Sequence, residues 1–308
     1  MINKYTHKNV TWVDFENPTL DEVREIAEEF NIDPLVANEL LSPTVRPRVD
    51  YYKDYIYLIL HFPNSYNTRG NGNISKKIEE VDFIVGKDFV ITTRYNAVDA
   101  LLEFSKVFEV QSILDKSNMG DHAGYIFFYM IQHLYKSLMN RLETIRDLLD
   151  DIEKKIFEGE EKEMVLELSK INRLLLNYKE STSLHKEILE SFEIAGKKFF
   201  GMDFDYHLRG ILGEYYKVEG AMQGAKEYLN ELRDTNDSLL TTKQNEIMKI
   251  LTVTAFITFP LTLIAGIFGM NTISTPIIGN ENDFITVLLI MLLMTILMAF
   301  YFRMKKWF

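Results

Sequence analysis

ILTVTAFITFPLTLIAGIFGMN, residues 250–271, is the stretch that decides the fold. It opens with nineteen residues, 250–268, that include no Asp, Glu, Lys, Arg or His, and it ends in Gly269-Met270-Asn271. An α-helix rises 1.5 Å per residue, so about 20 apolar residues cross a bilayer core of about 30 Å. A second uncharged run, FITVLLIMLLMTILMAFYF at 284–302, nearly closes the chain. Only residues 269–283 separate the two, so the chain is read as crossing, turning and returning. Two helices cannot enclose a pore, so any conduction through them requires an oligomer.

Working outward, basic residues near the span ends set the orientation. Lys243 and Lys249 precede the first span, and Arg303, Lys305 and Lys306 follow the second. The connecting loop has no Lys or Arg and carries Glu281 and Asp283. Both termini are therefore expected in the cytoplasm and the loop outside, in a multi-pass protein of the cell (inner) membrane. Trp307 and Phe308, beside Lys305 and Lys306, suit an interfacial anchor. Residues 1–10 are polar, and no signal peptide is expected.

The two spans differ in character. The second is almost wholly aliphatic and aromatic, with Thr295 its lone hydroxyl, and suits lipid on all sides. The first carries Thr252, Thr254, Thr258, Pro260, Thr262, Ala265 and Gly266. Small and hydroxylated residues allow close helix contact and hydrogen bonding across an interface, which makes this span the pore-lining candidate. The alternative is that the hydroxyls bond their own helix backbone.

Composition narrows the function classes. The net charge is −11 and no basic stripe is present, so nucleic acid is not expected as a partner. With no cysteine, a thiolate metal site and a disulfide are impossible. The six histidines are scattered without HxxxH or HExxH spacing. No glycine-rich phosphate loop, GxSxG elbow or other catalytic signature occurs, so an enzyme is not expected.

The first 120 residues read as an α/β cytoplasmic domain. TWVDF (11–15), YIYLILHF (55–62), VDFIV (81–85) and FVITT (89–93) have strand character, the last two joined by Gly86-Lys87-Asp88. Thr19 and Glu22 form a capping box opening a helix whose apolar face is Val23, Ile26, Ala27 and Phe30. A second helix runs from Pro34 to before Pro43, and residues 64–73 read as a surface loop. From about 121 to 249 the chain is helical: no proline occurs between Pro63 and Pro260. Three-and-four spacing marks helices over 125–157, 162–194 and 204–268, with a turn at 158–161. The third is one stalk helix entering the membrane span.

Along that stalk Asp234, Thr241, Asn245, Met248, Leu251 or Thr252, Ala255, Phe259, Thr262 and Gly266 fall on one face. Polar residues grade into apolar ones, as in a hydrated entry followed by a constriction that gates by dewetting. A coiled-coil seam with polar interruptions has the same spacing. The acidic run Asp147, Asp150, Asp151, Glu153, Glu158, Glu160, Glu161 and Glu163 reads as a solvated helix tip, or as a device concentrating cations near the cytoplasmic mouth.

NEIMKILT (245–252), PLTLIAGIFGMN (260–271) and the tail Lys305-Lys306-Trp307-Phe308 resemble the CorA family of divalent-cation transporters, as does RPRVDYY (46–52) ahead of the second strand. The resemblance implies a funnel-shaped homopentamer: an α/β cytoplasmic domain, a long stalk helix and two transmembrane helices (250–268 and 284–302), with loop 269–283 outside and tail 303–308 inside. It implies a passive Mg²⁺ pathway that also admits Co²⁺ or Ni²⁺, with lipid and the other subunits as partners. Gly269, Met270 and Asn271 would form the entry, with hydrated Mg²⁺ held by an Asn271 ring, Gly269 at positive φ and Met270 packed beneath. Asn245 would be a polar ring, Met248 and Leu251 the gate, and Asp234 an acidic ring. Two departures stand out. The family's Glu beside the loop proline is absent at Pro276, leaving Glu281 and Asp283 as substitutes. The family's sensor Asp aligns with Gly210, leaving Asp203, Asp205 and Glu214 as candidate regulatory Mg²⁺ ligands. A zinc transporter of the same superfamily and a non-conducting membrane sensor or scaffold are the alternatives.

Overall fold

Strands β1 (Ile2–His7), β2 (Val10–Glu16), β3 (Val49–Tyr51), β4 (Tyr55–Pro63), β5 (Ile78–Gly86) and β6 (Phe89–Arg94) form one sheet in the order β1-β2-β6-β5-β4-β3. The computed structural model describes residues 1–44, 46–63, 78–96, 98–114, 122–270, 277, 282–305 and 307; the expected loop at 64–73 lies outside them. All strand pairs are antiparallel except β2 and β6, which run parallel from Thr11↔Phe89 to Glu16↔Arg94. The four expected strands are present. β1 and β3 are additional: the first is a polar, half-exposed edge strand, INKYTH, and the second has three residues, so neither carries an apolar alternation to read.

Helices cover both faces of the sheet. On one side lie α1 (Leu20–Glu29) and α2 (Pro34–Glu39), whose Val23, Ile26 and Val36 pack with Val13, Phe15, Tyr57, Ile84 and Ile91. The expected capping box starts α1: the Thr19 N–H donates to Glu22 Oε2 at 2.8 Å, and the Glu22 N–H donates to Thr19 Oγ1 at 3.4 Å. On the other side lie α3 (Asp99–Leu114) and α4 (Ala123–Glu158). Phe108 of α3 meets Trp12 at 5.6 Å, and Phe127 of α4 meets Phe83 at 5.4 Å. Burial on both faces explains why YIYLILHF reads as an unbroken apolar run. Gly159 ends α4 in the left-handed region, at φ 102°, where a glycine carries no side-chain penalty.

The single helix expected over 162–194 is two helices, α5 (Glu161–Thr182) and α6 (His185–Phe200). The cause lies at their junction. Ser181, Thr182 and Ser183 all donate their hydroxyls to carbonyls three or four residues back, at 2.8–3.0 Å. Such back-bonding competes with the helix ladder and bends it. Immediately after the break His185 is fully buried. Its Nε2 lies 2.7 Å from the His61 carbonyl, which only accepts, so Nε2 carries the proton. Nδ1 then accepts from the Tyr135 hydroxyl at 2.7 Å. One imidazole thus ties α6 to β4 and α4.

Two polar seams run through this core. On the α3/α4 face Arg94 donates to Asp14 and to Glu16, both at 3.1 Å. Thr92 donates to Asp14 at 2.7 Å, and Trp12 donates to Thr92 at 3.0 Å. On the α1/α2 face Glu80 accepts the Thr44 N–H at 2.9 Å and lies 3.1 Å from His61 Nε2. Tyr95 donates to Asp82 at 3.2 Å. Burial, reinforced by the neighbouring Glu80, pushes the Asp82 carboxyl well above the usual carboxylate range.

Residues Met1–Arg233 and Asp234–Phe308 are separate compact units, and helix α7 (Asp205–Phe268) belongs to both. At 64 residues it is about 96 Å long. Helix α8 (Asp283–Met304) completes the second unit. Both α7 and α8 contain stretches long and apolar enough to cross a membrane. Among the described residues of the second unit only Asn236, Val253 and Phe302 are buried.

Candidate functional site

The expected pore face of α7 is exposed, as is most of this helix from residue 241 on. Asp234, Thr241, Asn245, Met248, Leu251, Phe259, Thr262 and Gly266 are all exposed, and Ala255 is half-buried. Val253, on the opposite side of the same turn, is buried. Exposed apolar side chains of this size, such as Phe259 at 72 % and Leu251 at 60 %, are surfaces that an assembly or a lipid must cover. Leu251, Thr252, Ala255, Phe256 and Phe259 line an open surface depression of about 290 Å³. The apolar part of this face is thus concave, with Phe256 added to the set that spacing had picked out.

The threonine hydroxyls bond their own helix. Thr241, Thr252, Thr254, Thr258 and Thr262 each donate to the carbonyl four residues back, at 2.7–3.0 Å. Each hydroxyl oxygen keeps acceptor capacity, so this bonding is compatible with a lining role. Pro260, inside α7, has no N–H. The carbonyl of Phe256 therefore lacks its normal helix donor, and α7 is weakened at that level.

At the outer end of the span the Gly269 N–H donates to the Ala265 carbonyl at 2.9 Å, and the Met270 N–H donates to Ile267 at 3.3 Å. Gly269 does not have the positive φ expected of it: among the described glycines only Gly159 and Gly201 do. A Cβ there would sit 3.0 Å from the Ala265 carbonyl oxygen, a tight contact that glycine avoids. Met270 is exposed. Asn271 and Glu281 lie outside the described residues. Asp283 is the first residue of α8, and its Oδ1 accepts the Phe284 N–H at 2.6 Å.

Within one chain the candidate regulatory ligands do not converge. Asp203 sits in a single 3-10 turn, Met202–Phe204. Asp205 is engaged by Lys197 at 2.7 Å and Arg209 at 2.5 Å, and the Lys197 hydrogen bond holds its carboxyl below the usual range. Glu214 pairs with Lys217 at 2.8 Å. Among the described residues no group of three or more His, Asp or Glu is placed to hold a metal. At Gly210 a Cβ would lie 3.0 Å from the Phe128 ring, so an aspartate there would press on that ring.

Comparison with known proteins agrees with this architecture. The chain is 27% identical over 303 residues to the cobalt/magnesium transport protein CorA of Thermotoga maritima, covering 96% of this chain and 83% of that one. It is 24% identical over 316 residues to the magnesium transport protein CorA of Campylobacter jejuni, strain RM1221, with coverages of 97% and 92%. Its fold matches the complete structure of the CorA magnesium transporter from Methanocaldococcus jannaschii with a TM-score of 0.83 at 18% identity, over 99% of this chain and 93% of the other. The model of the CorA-like Mg²⁺ transporter protein family matches residues 7–306. An α/β domain, a long helix and two apolar C-terminal helices, matched by that model over nearly the whole chain, place this protein in the CorA-like Mg²⁺ transporter family.

Proposed function

We propose that this chain assembles as a pentameric, potential-driven Mg²⁺ channel of the inner membrane, with both termini in the cytoplasm. The observation that carries the reading is the exposed face of α7, polar at Asp234, Thr241 and Asn245, then apolar and concave from Leu251 to Phe259, and leading to Gly269-Met270. Five such faces turned to one axis make a hydrated vestibule followed by a dewetted constriction.

Each residue has a physical task. Mg²⁺ gives up its waters reluctantly and prefers octahedral oxygen ligands. A ring of Asn271 side-chain carbonyls receives the ion through its hydration shell, without the tight binding of a carboxylate ring. Asp234 raises the local cation concentration at the cytoplasmic end, and Glu281 and Asp283 do so outside. Met248 and Leu251 form the gate. Inward movement of a divalent cation is favoured by about 4.6 kcal/mol per 100 mV, twice the value for a single charge. Co²⁺ and Ni²⁺ carry the same charge and oxygen preference, and they follow the same route.

Mg²⁺ influx into proteoliposomes under an inside-negative potential tests the reading. The native chain conducts, and Asn271→Ala abolishes influx while leaving the oligomer intact. Absence of Mg²⁺ influx in the native chain refutes it. Zn²⁺ influx in the same vesicles would then indicate a zinc transporter, and no influx of either ion a non-conducting sensor.

A further inference from the structure

The C-terminal tail folds back onto the second span. The Lys305 N–H donates to the Tyr301 carbonyl at 3.1 Å, and the Trp307 N–H donates to the Phe302 carbonyl at 3.0 Å. This turn lays the Trp307 ring on Phe302, with centroids 5.8 Å apart and planes at 38°. Phe302 in turn meets Phe256 of α7 at 6.3 Å. Phe302 is the one buried side chain among the described residues of α8. Phe256 belongs both to this aromatic ladder and to the edge of the open depression it shares with Leu251, Thr252, Ala255 and Phe259. It is also the residue whose carbonyl Pro260 deprives of a helix bond. The ladder therefore ends where α7 is least able to hold its own shape.

We propose that Trp307 is a positioning residue for the constriction. Through Phe302 it holds Phe256 against the pore-facing wall, so the tail sets how tightly the constriction closes. This rests on the Mg²⁺ pathway described above, and it adds a task for Trp307 beyond that of an interfacial anchor. An anchor acts through lipid and is indifferent to Phe302. A ladder makes the two rings one device.

The test is Mg²⁺ influx into proteoliposomes for Trp307→Ala, Trp307→Phe, Phe302→Ala and the Trp307→Ala/Phe302→Ala pair, beside the native chain and Asn271→Ala. An aromatic pair corresponds to about a two- to tenfold change in a two-state equilibrium. Trp307→Ala and Phe302→Ala should each raise influx by about that factor. The double variant should exceed neither single, and Trp307→Phe, which keeps a ring, should return influx towards native. Influx in Trp307→Ala that equals or falls below native overturns the inference, as does an unchanged Phe302→Ala or a double variant in which the two effects multiply. If Trp307→Ala fails to assemble, Phe302→Leu carries the same expectation, since it keeps apolar volume without the ring. When Asn271→Ala is silent and the ladder variants behave as native, only the ladder falls. When Asn271→Ala conducts as well as native, the Asn271 entry falls and the ladder is still judged on its own variants; when the native chain shows no Mg²⁺ influx, the pathway itself falls and takes the ladder with it.

Discussion

Acidification should weaken the first compact unit through one side chain, His185. It is fully buried, donates from Nε2 to the His61 carbonyl and accepts at Nδ1 from Tyr135. Burial pushes its pKa from 6.5 down to about 4. Between these values the unfolded chain binds a proton at this position and the folded chain does not. Stability therefore rises with pH across that window, and lowering the pH through it removes stability. A difference of about 2.5 units at 1.36 kcal/mol each is about 3 kcal/mol. His185→Gln keeps a donor and an acceptor but does not titrate. Urea unfolding of the full chain, followed by the fluorescence of buried Trp12 in a Trp307→Phe background, measures the difference. The parent should lose about 3 kcal/mol more than His185→Gln between pH 7 and pH 4. Equal losses in the two proteins would refute the neutral, doubly bonded imidazole.

Three further outcomes follow from particular residues. Met248→Asp should wet the constriction and raise basal Mg²⁺ influx severalfold, whereas a tight closed state in that variant would remove Met248 from the gate. Asp82→Asn should unfold at a higher temperature than native at neutral pH, with the gap shrinking towards pH 4. The native carboxyl holds its proton above the ordinary value of 3.8 while the unfolded one releases it, so native stability falls as pH rises there; a gap that does not change with pH would place a charged carboxylate in the sheet. Arg94→Met should cost about 3–5 kcal/mol in urea unfolding, because it strands Asp14 as an unpaired buried charge. A loss of under about 1 kcal/mol would be the behaviour of an exposed ion pair.

The membrane helices were legible because a run of nineteen residues without charge has few other uses. The central strands were legible because burial on both faces fills most of their positions with apolar residues. The β1 edge strand was hidden by the same logic, since INKYTH has one side to bury and little apolar content. Asp14 and Asp82 are charged residues in the middle of strands and Arg94 ends one, and their partners are distant in sequence or lie beyond the strand ends. No local pattern distinguishes them from surface residues. The break between α5 and α6 hides behind an intact apolar periodicity and is caused by three consecutive hydroxyls, at 181–183. The length of α7 followed from spacing alone. The place of Phe256 beside Leu251, Thr252, Ala255 and Phe259 did not, because it depends on how the α7 side chains are oriented. Gly269 was picked out for backbone freedom, and what it supplies is room beside the Ala265 carbonyl.

The parallel pairing of β2 with β6 has a consequence for synthesis. The Asp14 carboxyl finds Thr92 and Arg94, 78 and 80 residues further along. At ribosomal rates of about 5–20 residues per second, that interval lasts roughly 4–16 s. During it β1 and β2 have no sheet to join, and Asp14 has no cation. The β4–β5–β6 meander assembles from nearer neighbours, and only its last strand supplies the guanidinium that lets β1 and β2 dock. The amino-terminal strands are thus made first and seated late, and they form the segment a chaperone would meet.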